Sequence, residues 1–281
     1  MISRSPIAGV IGHPIGHSKS PRIHNHWLRL LDLPGIYLPY DVGPDDFETF
    51  VQRANHAGFA GFNVTIPHKE RAFRLCDALS ETAKACAAVN TLVFQRDGSV
   101  VGDSTDGFGF MENLRNGGFA PRSGFSAAIL GAGGAARAVA VALREAGASE
   151  IRLANRTQAR AEDLAEVIDP VGRLWTWPVG EAFFADCDLI VNATSLGMDG
   201  QPPFDIELGA LSDATHATDL IYAPLRTPFL QRAEAAGAQT TDGLGMLLHQ
   251  ARPGFEAWFG GAPTVDAALR EVVLSDGGLF P

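Results

Sequence analysis

The sequence predicts an α/β protein of two domains, the first discontinuous and the second built on a doubly wound parallel sheet. Strand-like apolar segments alternate with helix-like segments along most of the 281 residues, an order typical of α/β folds. The length favours two domains over one. A glycine-rich turn joins a strand to a helix near the middle of the chain. We therefore predict a first domain over residues 1–106, completed by 243–281, and a second over 107–242.

The first domain is predicted to contain four strands and four helices. The strands cover residues 8–11, 36–42, 62–66 and 90–94, and the helices cover 20–31, 44–57, 68–77 and 81–88. Because strands and helices alternate, a mainly parallel sheet is expected. Ser20 is placed as the N-cap of the first helix and Pro21 at its first helical position.

The second domain is predicted from a similar alternation. Its strands cover residues 127–130, 151–154, 173–177, 189–192 and 218–221, and helices cover 108–114 and 135–146. A last helix is expected over 244–251, and Pro253 should break it because proline lacks the amide donor of a helix interior. That helix is assigned to the first domain, which makes the domain discontinuous.

The glycine-rich turn follows a pattern with a known physical use. Gly131, Gly133 and Ala136 occupy the three positions of G-x-G-x-x-G/A, between a predicted strand and a predicted helix. Such a turn places a dinucleotide pyrophosphate on a helix N-terminus. A tight turn that binds nothing is the weaker interpretation. The second domain is therefore predicted to be a dinucleotide-binding Rossmann domain.

The tip of the next strand indicates which dinucleotide is bound. An acidic residue there would accept the ribose hydroxyls of NAD, but this chain has Asn155 and Arg156, with Arg160 one helical turn further on. Cations in place of a carboxylate favour a 2′-phosphate. A solvated helix face stays an open alternative for Arg160. The tip predicts hydride transfer with NADP.

Composition excludes several classes of function. The net charge is −10, which argues against a nucleic-acid binder. Cys76, Cys86 and Cys187 show no C-x-x-C spacing and are interpreted as free thiols of a reducing cytosol. No apolar run is typical of a signal peptide or a membrane span, and the histidines show no metal-ligand spacing. We expect a cytoplasmic protein without a metal.

A proton donor or acceptor is needed where hydride reaches a carbonyl carbon. Lys69 follows the predicted strand that Pro67 ends, and ligands of open α/β sheets bind at the carboxyl ends of strands. Asp106, near the predicted domain junction, is a plausible carboxylate neighbour for tuning that lysine. A surface lysine and a helix-capping aspartate remain the alternatives.

Two hydroxyl residues precede the first helix. Ser18 and Ser20, together with free backbone N–H groups of the helix N-terminus, would form a carboxylate site. Helix capping alone would explain Ser20, but Ser18 lies outside the cap position. The pair therefore predicts an anionic substrate.

The ordered motifs of this chain resemble those of the shikimate dehydrogenase family, NADP-dependent enzymes of aromatic amino-acid biosynthesis. The matching segments are residues 10–21, 63–69, 88–91, 105–107, 131–137, 155–157, 192–198, 219–224 and 243–250. Each is weak alone, whereas their order along nearly the whole chain is specific. The resemblance implies reversible reduction of 3-dehydroshikimate to shikimate by NADPH, in a monomer or homodimer.

The resemblance also implies roles for individual residues. Lys69 and Asp106 would form the acid–base pair, and Ser18 and Ser20 would hold the substrate carboxylate. The ring hydroxyls would be held by Thr65, Asn90, Asp106, Tyr222 and Gln250. The cofactor would be held by Gly131, Gly133, Gly134, Ala135, Asn155, Arg156, Thr157, Arg160, Thr194, Leu196, Met198 and Gly243. Ser104 departs from the family's usual Asn and is expected to alter how the hinge or Asp106 is braced without changing the reaction, because serine replaces an amide only partly.

Three other functions are weighed against this one. A quinate or dual quinate/shikimate dehydrogenase would share fold and motifs, and Asn155-Arg156-Thr157 argues only against its NAD-preferring branch. A non-catalytic NADP- or shikimate-sensing module has no need of Lys69 and Asp106. A methylene-tetrahydrofolate or glutamyl-tRNA-type dehydrogenase would share the glycine turn, but it has no reason to carry Ser18 and Gln250.

Overall fold

The computed structural model describes residues 5–275. Its contacts divide the chain into two compact units, Met1–Thr105 with Leu248–Pro281, and Asp106–Leu247. The predicted junctions differ from this division by one residue at the first crossing and by five at the second. Among the residues that the structure describes, no helix is both long and apolar enough to cross a lipid bilayer.

The first unit contains a mixed sheet. Its strands are β1 (Ile7–Gly12), β2 (Ile36–Asp41), β3 (Gly61–Val64), β4 (Ala78–Leu79), β5 (Thr91–Phe94) and β6 (Val100–Asp103), and its helices include α1 (Ser20–Leu30), α2 (Phe47–His56), α3 (Lys69–Leu75) and α4 (Glu81–Cys86). The strand order is β2-β1-β3-β5-β6-β4. Strand β5 runs antiparallel to both β3 and β6, while the other neighbours are parallel.

Strand β4 was not predicted, and the prediction of a mainly parallel first sheet was wrong for β5, which pairs antiparallel with β6, a strand that was also not predicted. Strands β5 and β6 form a hairpin closed by the backbone bond from Gln95 N to the Ser99 carbonyl, 2.9 Å. The turn contains Asp97-Gly98, and Gly98 has a positive φ of 88°, which glycine adopts without strain. An Asp-Gly turn is a hairpin signal that alternation with helices does not reveal.

The second unit is a doubly wound parallel sheet, as predicted. Its strands are β7 (Ser126–Leu130), β8 (Glu150–Ala154), β9 (Gly172–Leu174), β10 (Leu189–Asn192), β11 (His216–Asp219) and β12 (Gln239–Thr241), and its helices include α5 (Asp106–Asn116), α6 (Gly134–Glu145), α7 (Gln158–Val167) and α8 (Pro228–Ala236). The order β12-β11-β10-β7-β8-β9 reverses direction at β7. Ligands bind at the carboxyl edge beside such a reversal, so the loops after β7, β8, β10 and β11 define the region of interest.

Helix α9 (Leu244–Phe259) corrects the predicted break at Pro253, because it continues past that proline. Its carboxyl half buries Phe255 and Trp258 in the first unit, and the Trp258 indole donates to the Leu92 carbonyl at 3.0 Å. Burial of two large aromatic rings contributes about 2 to 3 kcal/mol each, comparable to the roughly 3 kcal/mol cost of an interior proline. Tertiary packing therefore outweighs the local preference.

A buried arginine joins α1 to the final helix, α10 (Ala267–Leu274). Arg22 is 3% exposed, and its guanidinium donates to the carbonyls of Val273 (3.5 Å) and Ser275 and to the Ser275 hydroxyl at 2.7 Å. A cation at a helix carboxyl end also complements the helix dipole.

We expect Arg22→Met to loosen α10. The substitution removes the donor to the buried Val273 carbonyl and to the partly buried Ser275 carbonyl, at a cost of about 1 to 3 kcal/mol, and hydrogen exchange of the α10 amides should quicken correspondingly. Arg29→Met is the matched control, because Arg29 lies at the exposed carboxyl end of α1, the helix that also carries Arg22. Equal exchange rates in the two variants would contradict this role for Arg22.

Candidate active site

The glycine turn after β7 has the shape that a bound phosphate requires. Gly131 has φ +107°, and a Cβ there would lie 2.7 Å from the Ala193 carbonyl oxygen. Gly133 is the N-cap of α6, whose first turn holds no acidic residue. A Cβ at Gly133 or Gly134 would meet no atom within 4 Å, so the helix N-terminus, with Ala135 in its first turn, faces open space. Its dipole and N–H groups fit a pyrophosphate.

The tip of β8 carries exposed cations at a helix N-terminus. The Asn155 side-chain amide donates to the Thr157 carbonyl at 2.8 Å, and Thr157 is the N-cap of α7 but makes no side-chain capping bond. Arg156 and Arg160 are exposed, and within residues 5–275 their guanidinium groups form no ion pair or hydrogen bond. The first turn of α7 also lacks an acidic residue. Cations are unfavourable beside a helix N-terminus, and a bound phosphate would relieve that repulsion.

The loop after β10 is ordered by Asn192. Its Oδ1 accepts hydrogen bonds from the Thr194 backbone N–H (3.1 Å) and hydroxyl (2.7 Å). The Thr194 hydroxyl oxygen in turn accepts from Leu196 N at 3.1 Å. Met198 is exposed, whereas the Leu196 side chain packs against the core of the second unit. Of the residues predicted here, Met198 is thus exposed at the loop surface, whereas Leu196 lies against the core.

Asp219 lies at the end of β11. It belongs to the matching segment 219–224, but no role was predicted for it. Its carboxylate accepts from the Asn192 amide (3.1 Å to each oxygen), the Thr227 hydroxyl (2.6 Å) and Ile221 N (3.0 Å). Burial raises the pKa of this carboxyl to about 6, and the three donors oppose that rise. No short sequence pattern signals its role, because its donors Asn192 and Thr227 lie 27 and 8 residues away.

Two further predicted residues adjoin Asp219 in the chain or in space. Tyr222 is partly buried, and that burial raises the pKa of its phenol. Gly243 is buried, and a Cβ there would lie 2.6 Å from the carbonyl oxygens of both Asp219 and Ile221. Only glycine fits this close approach of backbones.

In the first unit, Asn90 and Gln250 lie in one buried polar cluster. Asn90 Oδ1 accepts from Thr105 N (2.9 Å) and the Thr91 hydroxyl (3.0 Å), and Asn90 Nδ2 lies 3.4 Å from Gln250 Oε1. The Thr105 hydroxyl donates to the Gln250 carbonyl at 2.8 Å. Two of the predicted hydroxyl-binding side chains are thereby brought together. Thr65 directly follows β3, where its N–H donates to the Ile11 carbonyl at 2.9 Å.

The structure corrects the description of the serine pair. Lys19, not Ser20, occupies the N-cap of α1 and makes no side-chain capping bond; Ser20 is the first helical residue. The Ser18 hydroxyl accepts from Ser20 N at 3.3 Å, and the N–H groups of Arg22 and Ile23 donate to the Lys19 carbonyl. The expected free N–H groups are thus engaged at these positions. A carboxylate would depend on the hydroxyls and on the Lys19 ammonium.

A buried aromatic and amide cluster supports Ser20. The Tyr37 hydroxyl donates to Asn63 Oδ1 at 2.6 Å, and Asn63 Nδ2 donates to the Thr91 hydroxyl at 3.2 Å. Burial raises the pKa of Tyr37 well above its usual value, opposed by a hydrogen bond from Ser20. His24 stacks on Tyr37 with 3.9 Å between ring centroids, and burial lowers the pKa of this imidazole to about 3. The cluster connects Ser20 through Thr91 to Asn90.

Lys69 and Asp106 each begin a helix. Lys69 is the first residue of α3 in the first unit, and its carbonyl accepts from Val89 N at 3.1 Å. Asp106 is the first residue of α5 in the second unit, two residues earlier than the predicted helix start. The pairing of their side chains stays a prediction.

Ser104, which stands where the family usually has Asn, is buried. Its N–H donates to Asp103 Oδ1 at 2.7 Å, and the same oxygen accepts from the Ser80 hydroxyl at 2.5 Å. The turn before Asp106 is therefore held through Asp103. Within residues 5–275, no group of three or more His, Cys, Asp or Glu side chains is arranged to hold a metal ion.

Comparison with known proteins gives matches in both units. A family model described as the shikimate dehydrogenase substrate binding domain matches residues 10–92, and one described as shikimate / quinate 5-dehydrogenase matches residues 119–197. The chain is 52% identical over 276 residues to the shikimate dehydrogenase (NADP(+)) of Rhodospirillum rubrum, a match that covers 96% of this chain and 98% of that protein.

Solved structures share the fold at lower identity. The shikimate 5-dehydrogenase of Listeria monocytogenes, in complex with shikimate and NAD, matches with a TM-score of 0.88 and 32% identity, over 98% of each chain. The 5-ketofructose reductase of Gluconobacter sp. strain CHM43 matches with a TM-score of 0.87 and 33% identity, over 96% of this chain and 98% of that one. The extent and identity of these matches, together with the two family models, show that the chain belongs to the shikimate dehydrogenase family.

Proposed function

We propose that this protein catalyses the reversible, NADPH-dependent reduction of 3-dehydroshikimate to shikimate. The observation that carries the cofactor assignment is the cationic tip of β8, which has no ion-pair partner within residues 5–275. Arg156 and Arg160 stand exposed at the N-terminus of α7 without an acidic residue in its first turn. A 2′-phosphate would pair with these guanidinium groups. It would also accept a hydrogen bond from the Thr157 hydroxyl, which makes no capping bond to α7.

The second unit fits the remainder of the same cofactor. The open N-terminus of α6, at Gly133, Gly134 and Ala135, would receive the pyrophosphate. Thr194, Met198 and Gly243 would line the nicotinamide side, with Leu196 supporting the loop from its place in the core. When bound, NADPH supplies the hydride.

The first unit supports a small, polyhydroxylated acid as substrate. Ser18 and Ser20 would donate to its carboxylate, with Lys19 supplying positive charge. Asn90 and Gln250, already joined in the buried cluster, would present amide groups to ring hydroxyls, together with Thr65. We assign Tyr222 and Asp106 of the second unit to the same hydroxyl-binding set.

Lys69 and Asp106 would perform the proton transfer. In the reduction, the Lys69 ammonium gives a proton to the carbonyl oxygen as the carbon is reduced, and in the reverse direction the amine takes it back. The Asp106 carboxylate would orient the ammonium and balance its charge. Orientation of two reactants contributes up to about 7 to 11 kcal/mol, and proton transfer about 10² to 10⁴ in rate.

Quinate turnover is the second candidate, because one of the two matching family models covers both acids. Quinate differs by an additional ring hydroxyl. Initial rates with shikimate and quinate, each with NADP⁺ and NAD⁺, distinguish a shikimate dehydrogenase from a quinate dehydrogenase. We expect shikimate with NADP⁺ to be the fastest combination, and 5-ketofructose with NADPH to be slow. Absence of turnover in every combination would favour the sensing module instead.

We expect Lys69→Ala to reduce kcat by at least about 10²-fold, because the proton donor is removed. The Kd for NADPH, measured by cofactor fluorescence, should stay within about twofold, since Lys69 is not among the proposed cofactor residues. Lys84→Ala is the control, because this lysine is exposed and pairs with the exposed Glu81 at 2.6 Å. Near-normal turnover by Lys69→Ala would rule out its role in proton transfer.

We expect Arg156→Ala to weaken NADPH binding by about 10- to 100-fold, the equivalent of one charge-assisted contact of 1.5 to 3 kcal/mol. NADH binding should change little because NADH lacks the 2′-phosphate. Arg173→Ala, an exposed arginine that donates only to nearby carbonyls, serves as control. Equal losses for NADPH and NADH would show that Arg156 does not recognise the phosphate.

A further inference from the structure

The buried carboxylate of Asp219 joins three separate segments of the second unit. It is fully buried, and its donors are Asn192 at the end of β10, Ile221 in the loop after β11 and Thr227. Thr227 is the N-cap of α8, where its hydroxyl oxygen also accepts from Leu230 N at 3.3 Å. A buried acceptor with donors from three segments fixes their relative positions.

Asn192 extends this order to the loop after β10. While its Nδ2 donates to Asp219, it also lies 3.3 Å from the Leu196 carbonyl, and its Oδ1 holds Thr194 from two donors. The Asp219 carboxylate fixes the orientation of this amide, because a reversed amide would bring an oxygen against the carboxylate. The Thr194–Leu196 segment therefore depends on Asp219 for its conformation.

The same loop touches the glycine turn. A Cβ at Gly131 would lie 2.7 Å from the Ala193 carbonyl and 3.3 Å from the Thr194 methyl group, so the backbones are in close contact. On the other side, the backbone of Asp219 and Ile221 packs against Gly243. The loops on which we place the nicotinamide thus meet around one carboxylate.

We infer that Asp219 is a positioning residue for the nicotinamide half of the cofactor, acting through Asn192 and Ile221 on the loops at Thr194 and Tyr222. The inference rests on the proposed function. It goes further in dividing the second unit into two independent parts. Asp219 governs the nicotinamide end, whereas the 2′-phosphate end at Arg156 is held by α7 and does not use it.

A carboxylate suits this position better than an amide. All three neighbours act as donors toward Asp219, and a carboxylate is an acceptor on both oxygens. Asparagine would turn an N–H₂ group toward one of these donors and leave it unpaired. Burial of the charge is costly, as the raised pKa of this carboxyl indicates, so the carboxylate is better explained by fixing loop geometry than by adding stability.

The first test compares Asp219→Asn with Thr218→Val. Thr218 precedes Asp219 on β11, is 1% exposed, and within residues 5–275 its hydroxyl has no hydrogen-bond partner, so its loss controls for a buried change on the same strand. We expect Asp219→Asn to reduce kcat by about 10- to 100-fold, since small displacements of a reacting group have effects of that size. Thr218→Val should keep normal turnover.

Binding measurements locate the defect. Adenosine 2′,5′-bisphosphate, which lacks the nicotinamide, should bind Asp219→Asn within about twofold of the unmodified protein, and the preference for NADP⁺ over NAD⁺ should persist. The KM for shikimate should also stay close to normal. Unchanged kcat in the folded variant would overturn the inference, and so would an equal loss of both adenosine 2′,5′-bisphosphate and NADP⁺ binding.

A second pair covers the case in which Asp219→Asn does not fold. Thr227→Val removes one donor to the carboxylate, whereas Thr227→Ser keeps it. We expect Thr227→Val to lower kcat without weakening adenosine 2′,5′-bisphosphate binding. Thr227→Ser, which keeps the hydroxyl donor, should have the kcat of the unmodified protein. If Thr227→Val and Thr227→Ser were equally active, the inference would fail. An unmodified protein that neither binds NADP⁺ nor oxidises shikimate would contradict the proposed function itself.

Discussion

Burying a polar side chain without a hydrogen-bond partner is costly, and in both units this cost favours one conformation of the loops that follow the strands. The Asn90 amide bonds to Thr105 and to Gln250. The Asn192 amide accepts from Thr194 through Oδ1 and donates to Asp219 through Nδ2. An unpaired buried donor or acceptor costs about 1 to 3 kcal/mol. Alternative loop conformations that break these bonds are therefore disfavoured, and the loops are ordered before any ligand binds.

Most of the second sheet was predictable because its strands carry local signals, although β12 (Gln239–Thr241) was not predicted. The strand of residues 127–130 is continuously apolar, as a central parallel strand must be, and the glycine pattern marks the strand-to-helix turn. The first sheet was less predictable because β5 and β6 pair as a hairpin. In the sequence that hairpin is indicated by only two residues, Asp97 and Gly98. Pro253 misled for a different reason: a local rule cannot include the burial of Phe255 and Trp258.

The candidate site shows the same division between local and distant information. Gly131, Arg156 and the serine pair could be selected from sequence because each belongs to a short pattern. Asp219 could not, because its importance lies in donors from Asn192 and Thr227, which are 27 and 8 residues away. Likewise, the role of Ser18 as acceptor for Ser20 N depends on the first turn of α1. The N-cap of that helix was predicted at Ser20 but is Lys19.

The charge distribution explains how a protein of net charge −10 can bind two anionic ligands, the substrate and the cofactor. The first turns of α1, α6 and α7, like those of α8, α9 and α10, hold no acidic residue, although acidic residues are usually favourable there. The ends of α1, α6 and α7 are the ones to which substrate carboxylate, pyrophosphate and 2′-phosphate are assigned. Long-range repulsion is screened beyond about 8 Å at physiological salt, so the local dipoles and cations decide the binding. At α6 and α7 the absence of carboxylates leaves the helix dipole available to the cofactor. At α1 the N–H groups are engaged, so the Ser18 and Ser20 hydroxyls and the Lys19 ammonium would bind the substrate carboxylate instead.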